Sequence, residues 1–246
     1  MSFPDRRDIM EGSETKGVVR MKNKGLSQEA LKIIACLTML IDHIGAVLVP
    51  VMGLRIIGRM AFPIYCFLLA EGMARTRDVK KYGLRLAIGA VLAEIPFDLA
   101  LFGGITWMHQ SVMLTLLLGF FMTLWINRTE RGKLVPVIVF AVAAELLSVD
   151  YGCYGIMMIA LFVMSRERKD RVAMQAMVLL AICWFMGGVG WQFGNIYIPV
   201  QMCAVAAMVP IGLYSGRKVT VSKAIQWGFY LFYPVHLAAL WLIRVM

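Results

Sequence analysis

The chain has 246 residues, 60% of them hydrophobic, and a formal net charge of +10, with a mean hydropathy of +0.74. A soluble domain is nearer half apolar, so this composition excludes an ordinary soluble enzyme and points to an integral membrane protein. The basic residues cluster between apolar spans and form no stripe interleaved with aromatics, which argues against a nucleic-acid partner.

Residues 1–28, "MSFPDRRDIMEGSETKGVVRMKNKGLSQ", are polar and lack the apolar region of a cleavable signal peptide. They read as a cytoplasmic tail, and 29–246 as one transmembrane bundle. Ser27 is placed to cap the first helix, with Glu29 in its first turn. Apolar runs then predict about nine spans, near 29–50, 57–74, 81–101, 111–127, 134–149, 152–165, 172–188, 196–214 and 225–244. The expected fold is an all-α, polytopic transmembrane helical bundle. Pro63 disturbs the second span, and "WQFGNIYIP" (191–199) reads as an interfacial aromatic belt. Five scattered cysteines, none in a CxxC pair, read as small buried hydrophobes. No phosphate-binding glycine loop, nucleophile elbow or metal-ligand spacing is present, so no metal is expected.

The connections alternate in charge. Lys and Arg crowd the N-terminal tail and segments 75–85, 128–133, 166–171 and 217–223, whereas 102–110, 148–152 and 187–195 contain neither. The positive-inside rule puts the N-terminus in the cytoplasm of a multi-pass cell (inner or plasma) membrane protein, in contact with membrane lipid, and nine spans put the C-terminus outside. Arg55, between spans one and two, is the exception.

That topology gathers the buried charges. Asp42 and His43 lie roughly 20 Å along span one, at 1.5 Å per residue. Glu94 and Asp98 fall near the outer end of span three. His109 and Asp150 fall in outer loops, His236 past the middle of the last span, and Arg59 at the outer start of span two. Ionisable groups in the hydrocarbon layer are costly unless paired or facing water. They form either a polar cavity fit for acid–base chemistry or internal ion pairs between helices, such as Arg59 with Asp98. Consecutive residues on a helix diverge by about 100°, so Asp42 cannot lie behind His43 as its orienter. His43 is expected to find a carboxylate on another helix, from Glu94, Asp98 or Asp150, and Asp42 to meet Arg59. At the other side Glu71 and Arg75 have ion-pair spacing. Arg75, Arg77, Lys80, Lys81 and Arg85 alternatively form a basic mouth for a polyphosphorylated ligand or anionic lipid headgroups.

"LKIIACLTMLIDHIGAVLVP" (31–50), "LRIIGRMAFPIYCFLLAEGMARTRDVKKYGLRLAIGAVLAEIPFDLALFG" (54–103), "LTLLLGF" (114–120) and "FYLFYPVHLAAL" (229–240) resemble the TraX family, which is similar to a wider group of transmembrane acyltransferases. "MHQS" (108–111) departs from the Asn-containing segment expected at the start of span four. The resemblance implies transfer of an acetyl group from acetyl-CoA to an acceptor peptide, sugar or small amine at the membrane. It implies that His43 is the catalytic base or acyl carrier. Asp42, Arg59 and His236 would line the site. Glu94 and Asp98 join the catalytic candidates through their outer position along span three. Glu71, Arg75 and Arg85 would lie near the CoA entrance, and Arg59 would join them in binding the cofactor from its place in the site. Two other functions fit the same residues: a proton-coupled membrane transporter, and a structural bundle without turnover. The acceptor and the oligomeric state are not legible in the sequence.

Overall fold

The computed structural model describes residues 25–167 and 170–246, so nearly all of the tail read over 1–28 lies outside the described residues. The chain is mostly helical. Its helices are α1 (Gln28–Val47), α2 (Met52–Gly58), α3 (Ala61–Arg75), α4 (Val79–Phe102), α5 (Val112–Arg128), α6 (Leu134–Leu146), α7 (Gly152–Met164) and α8 (Arg171–Met186). A strand pair, β1 (Gly190–Phe193) and β2 (Ile196–Pro199), follows. A 3₁₀ helix (Val200–Ala207), α9 (Met208–Gly212) and α10 (Lys223–Val245) complete the fold.

Among the described residues, three helices are long and apolar enough to cross a membrane: α1, the nearly continuous α2–α3 unit (Met52–Arg75) and α10. Several shorter apolar helices accompany them. At 13 residues each, α6 and α7 rise only about 20 Å, short of a hydrocarbon core. The span read over 196–214 is not one helix. It opens as strand β2, paired antiparallel with β1 through Phe193 and Ile196. Gly194, at φ +59°, turns the chain between them, a conformation glycine adopts without steric cost.

Local chemistry explains the main breaks. Ser27 accepts from the Ala30 amide at 3.1 Å and starts α1. Pro63 falls in the first turn of α3. Lacking an N–H, it cannot bond the carbonyl four residues back at Arg59, and the α2–α3 boundary sits there. Gly103, at φ +75°, ends α4 as its left-handed cap.

The core runs along α3 and α7. Most residues of α3 are buried, and Ile156, Met158, Ile159 and Phe162 of α7 pack fully inside. Helix α10 packs along α4 and α1, and α1 also packs on α2 and α3. Helix α6 is peripheral and leaves Leu134, Ile138 and Val142 exposed, as a lipid-facing helix does. Contacts segregate by charge. At the Lys/Arg-rich end, Leu26 pairs with Leu213 and Ser215, Glu29 accepts from the Val219 amide at 2.7 Å, and Arg166 meets Glu71 at 3.0 Å. At the Lys/Arg-poor end, Gln110 bridges to the 148–150 connection.

Helices α1 and α2 approach closely because of two glycines. A Cβ on Gly45 would lie 2.8 Å from the Cβ of Leu54, a contact only backbone movement relieves. Gly45→Ala is expected to cost about 1–3 kcal/mol, read as a lower unfolding midpoint in detergent. Gly104→Ala, whose Cβ meets open space, leaves the midpoint in place.

Candidate functional site

The site is organised by Asp42 on α1. Its Oδ2 accepts from Arg55 Nη1 at 2.7 Å and its Oδ1 from Arg59 Nη2 at 2.7 Å. Arg55 also donates to the Asp42 carbonyl at 3.1 Å. Both arginines rise from one turn of the α2 region, and Arg59 Nε donates to the Arg55 carbonyl at 3.2 Å. The remaining Arg59 fork reaches Gln201 Oε1 on the 3₁₀ helix at 3.1 Å. The glycine before Arg59 makes this possible, since a Cβ on Gly58 would lie 2.1 Å from Asp42 Oδ1. The expected Asp42–Arg59 pair is therefore present. Arg55, the exception in charge topology, folds back onto the same carboxylate. Arg59 stands at the Lys/Arg-poor end, where its place at the outer start of span two put it.

His43 turns the other way, toward α10. Its Nδ1 lies 2.7 Å from His236 Nε2, and His236 Nδ1 lies 2.6 Å from the Phe232 carbonyl. A carbonyl only accepts, so His236 carries its proton on Nδ1. With both rings neutral, His236 Nε2 must then accept, and His43 Nδ1–H donates to it. That leaves His43 Nε2 unprotonated, and among the described residues it has no hydrogen-bond partner. Tyr233, one turn before His236, stands edge-on to both imidazoles with ring centroids 5.7 Å apart. Its hydroxyl is buried with no hydrogen-bond partner among the described residues. His43 thus finds a second imidazole where a carboxylate was expected.

Glu94 accepts from the amide and hydroxyl of Ser111, the latter at 2.7 Å. Asp98, only 4% exposed, accepts from the Thr106 amide at 2.9 Å. Both brace the α4–α5 loop, and neither lines the cavity described next. That loop carries His109, stacked on Phe102 with centroids 5.5 Å apart.

A cavity of about 370 Å³ opens among these groups, walled by Asp42, His43, Arg59, His109, Asp150 and Tyr233. Asp150, in the α6–α7 connection, lines the cavity and is exposed to it. The surrounding protein pushes its carboxyl up, to about 6, against the pull of Arg59. All three histidines meet here, as their positions along the spans implied, though His236 stands behind His43 and outside the wall itself. Arg55, Gln201 and Tyr233 were not anticipated. Tyr233 had a legible signal, because it shares a helix face with His236 at i, i+3.

A second cavity, of about 180 Å³, opens at the Lys/Arg-rich end beside Lys32, Arg75, Arg85 and Lys218. Lys32 lies over Phe229 and Arg85 over Tyr230, at 5.2 and 5.7 Å. Arg85 Nε is buried without a hydrogen-bond partner among the described residues. Glu71 does not line this cavity. It is 2% exposed and held between Arg75 at 2.9 Å and Arg166 at 3.0 Å, so the expected Glu71–Arg75 pair is present and has a third member.

Removing Asp42 would leave two guanidiniums facing each other with no carboxylate. Asp42→Ala is expected to destabilise the protein by about 3–5 kcal/mol. Arg55→Ala, which leaves the Asp42–Arg59 pair intact, costs less. Unfolding midpoints in detergent compare the two, and equal losses would contradict the shared clamp.

Similarity to known proteins matches this frame. The model of the family described as TraX protein covers residues 27–244. The chain is 30% identical over 243 residues to the probable fimbrial assembly protein FimC, serogroup H1, of Dichelobacter nodosus, an alignment spanning 89% of this chain and 96% of that protein. Over 47 residues, 19% of each chain, it is 49% identical to the uncharacterized protein RP591 of Rickettsia prowazekii (strain Madrid E). No solved structure matches significantly. Clamp, histidine pair and both cavity walls fall within the matched segment, and the chain belongs to the TraX family.

Proposed function

We propose that the protein is a multi-pass inner-membrane acetyltransferase that moves an acetyl group from acetyl-CoA to an amine or hydroxyl acceptor. The observation that carries this reading is the His43–His236 pair, whose hydrogen bonds leave His43 Nε2 as a free base at a cavity wall. A neutral imidazole oriented at its far nitrogen is a competent base near neutral pH.

In the proposed reaction His43 Nε2 takes the acceptor's proton as the acceptor attacks the thioester carbonyl. The resulting imidazolium is stabilised through Nδ1–H to His236, and it passes the proton to the CoA sulfur as the carbon–sulfur bond breaks. In a two-step form Nε2 attacks first and CoA leaves as thiolate; the acceptor then takes the acetyl group from His43, and the proton it loses neutralises the CoA thiolate. The charge developing on the carbonyl oxygen has nearby donors in the Tyr233 hydroxyl and the Arg59 guanidinium. His236 positions His43 and does not touch the acceptor.

The basic cavity suits the donor. CoA carries phosphates, and Lys32, Arg75, Arg85 and Lys218 supply cations, with the unpartnered Arg85 Nε as one free donor. Charge topology puts this end in the cytoplasm, where acetyl-CoA is made. A relative named for fimbrial assembly supports a peptide among the peptide, sugar and small-amine acceptors.

Purified protein is expected to release CoA from radiolabelled acetyl-CoA and to pass label to a peptide amine or an amino sugar. His43→Ala should lower transfer by about 10²–10⁴-fold. His236→Gln, whose amide oxygen still accepts from His43 Nδ1–H, should retain more activity than His236→Phe. Full transfer by His43→Ala would remove the catalytic assignment. Absence of both label transfer and CoA release would favour the proton-coupled transporter built from the same Asp, His and Arg residues.

A further inference from the structure

The two cavities open at opposite ends of the bundle, and among the described residues a single side chain, Tyr65, lines both. Helix α1 shows how they align. Lys32 faces the basic cavity and His43 the other. They lie about three turns apart, roughly 16 Å, and on nearly the same helix face. Cys36 falls between them. At that level Tyr65 reaches across from α3, its hydroxyl 3.2 Å from Cys36 Sγ. Neighbouring side chains repeat the division. On α5, Val112 lines one cavity and Met113 the other; on α10, Tyr233 and Tyr230 do the same.

We propose that Tyr65 is the partition between the two cavities, and that displacing its ring joins them into one passage through the bundle. The ring is half-buried, as a wall with space on both sides must be. Its polar contact is with a thiol, a weak hydrogen-bonding group, so little holds the hydroxyl in place. An acyl thioester entering from the basic end must therefore pass Tyr65 to reach His43 Nε2. That consequence rests on the acetyl-transfer reading, whereas the partition itself does not.

The test uses the full chain with Cys36→Ser, which keeps a hydroxyl beside Tyr65, and alanine at the other four cysteines. His43→Cys then supplies one thiol in the Lys/Arg-poor cavity. Membrane vesicles of each orientation are exposed to the impermeant anion 2-sulfonatoethyl methanethiosulfonate, and the added mass is read on the protein. With Tyr65 present, labelling is expected from the Lys/Arg-poor face only, and Tyr65→Phe should behave alike. With Tyr65→Ala, labelling from the basic face should rise from background to a rate comparable with that from the other face. An unchanged rate from the Lys/Arg-poor face reports an intact fold. If Tyr65→Ala does not assemble, Tyr65→Leu gives the same comparison. Two-sided labelling with Tyr65 in place, or one-sided labelling with the ring removed, overturns the proposal. Failure of the wild-type protein to transfer acetyl groups would withdraw the donor–acceptor reading and leave this result standing.

Discussion

The arrangement depends on one carboxylate between two guanidiniums. A lone charge inside an apolar bundle is costly, and Asp42 meets that cost with Arg55 and Arg59 from a single turn of helix. The close approach requires glycine at position 58 and fixes how α2 docks on α1. It also spends Asp42 on a partner in α2, so the adjacent His43, about 100° around the helix, is free to address α10. One negative charge against two positive ones leaves a surplus cation at the cavity. Asp150, on the same cavity wall, is the nearby carboxylate that offsets it.

Much of this was legible in the residues themselves. Charge alternation between connections foretold which segments share an end, and consecutive positions on a helix foretold that Asp42 and His43 serve different partners. What the sequence hid was pairing between distant side chains. Nothing local distinguishes Glu94 or Asp98 as braces for the α4–α5 loop from the same residues as partners for an imidazole. Spacing showed that His43 needed a partner on another helix, yet imidazole on imidazole, with a backbone carbonyl behind, is a tertiary outcome. Tyr65 was silent because a tyrosine in an apolar run reads as core. The strand pair at 190–199 was missed for a related reason: aromatic apolarity masked the short alternating segments around Gly194 and Asn195.

The basic end has a different logic from the other. There the buried acid, Glu71, ties α3 to the α7–α8 connection through Arg166, and Arg75 goes on to the carbonyl of Gly216. These contacts hold the rim together, while Lys32, Arg85 and Lys218 remain available to the cavity. The same cations would meet lipid headgroups at a membrane surface. What sets this end apart from a generic basic rim is that its cations converge on a recess walled by tyrosine and phenylalanine.

The Phe232 carbonyl behind His236 has a consequence for where protons can travel. A hydrogen-bonded chain conducts only if each link can both receive a proton and hand one on. His43 and His236 can do so, but a peptide carbonyl cannot take the His236 proton at any accessible pH. The chain is a cul-de-sac: a proton picked up at the cavity is shared between two rings and must leave by the way it came. A bundle built to carry protons through the membrane would need an exit at that point. A bundle that holds a proton only briefly, and releases it again at the cavity, needs no exit there, and a closed end is what this structure has.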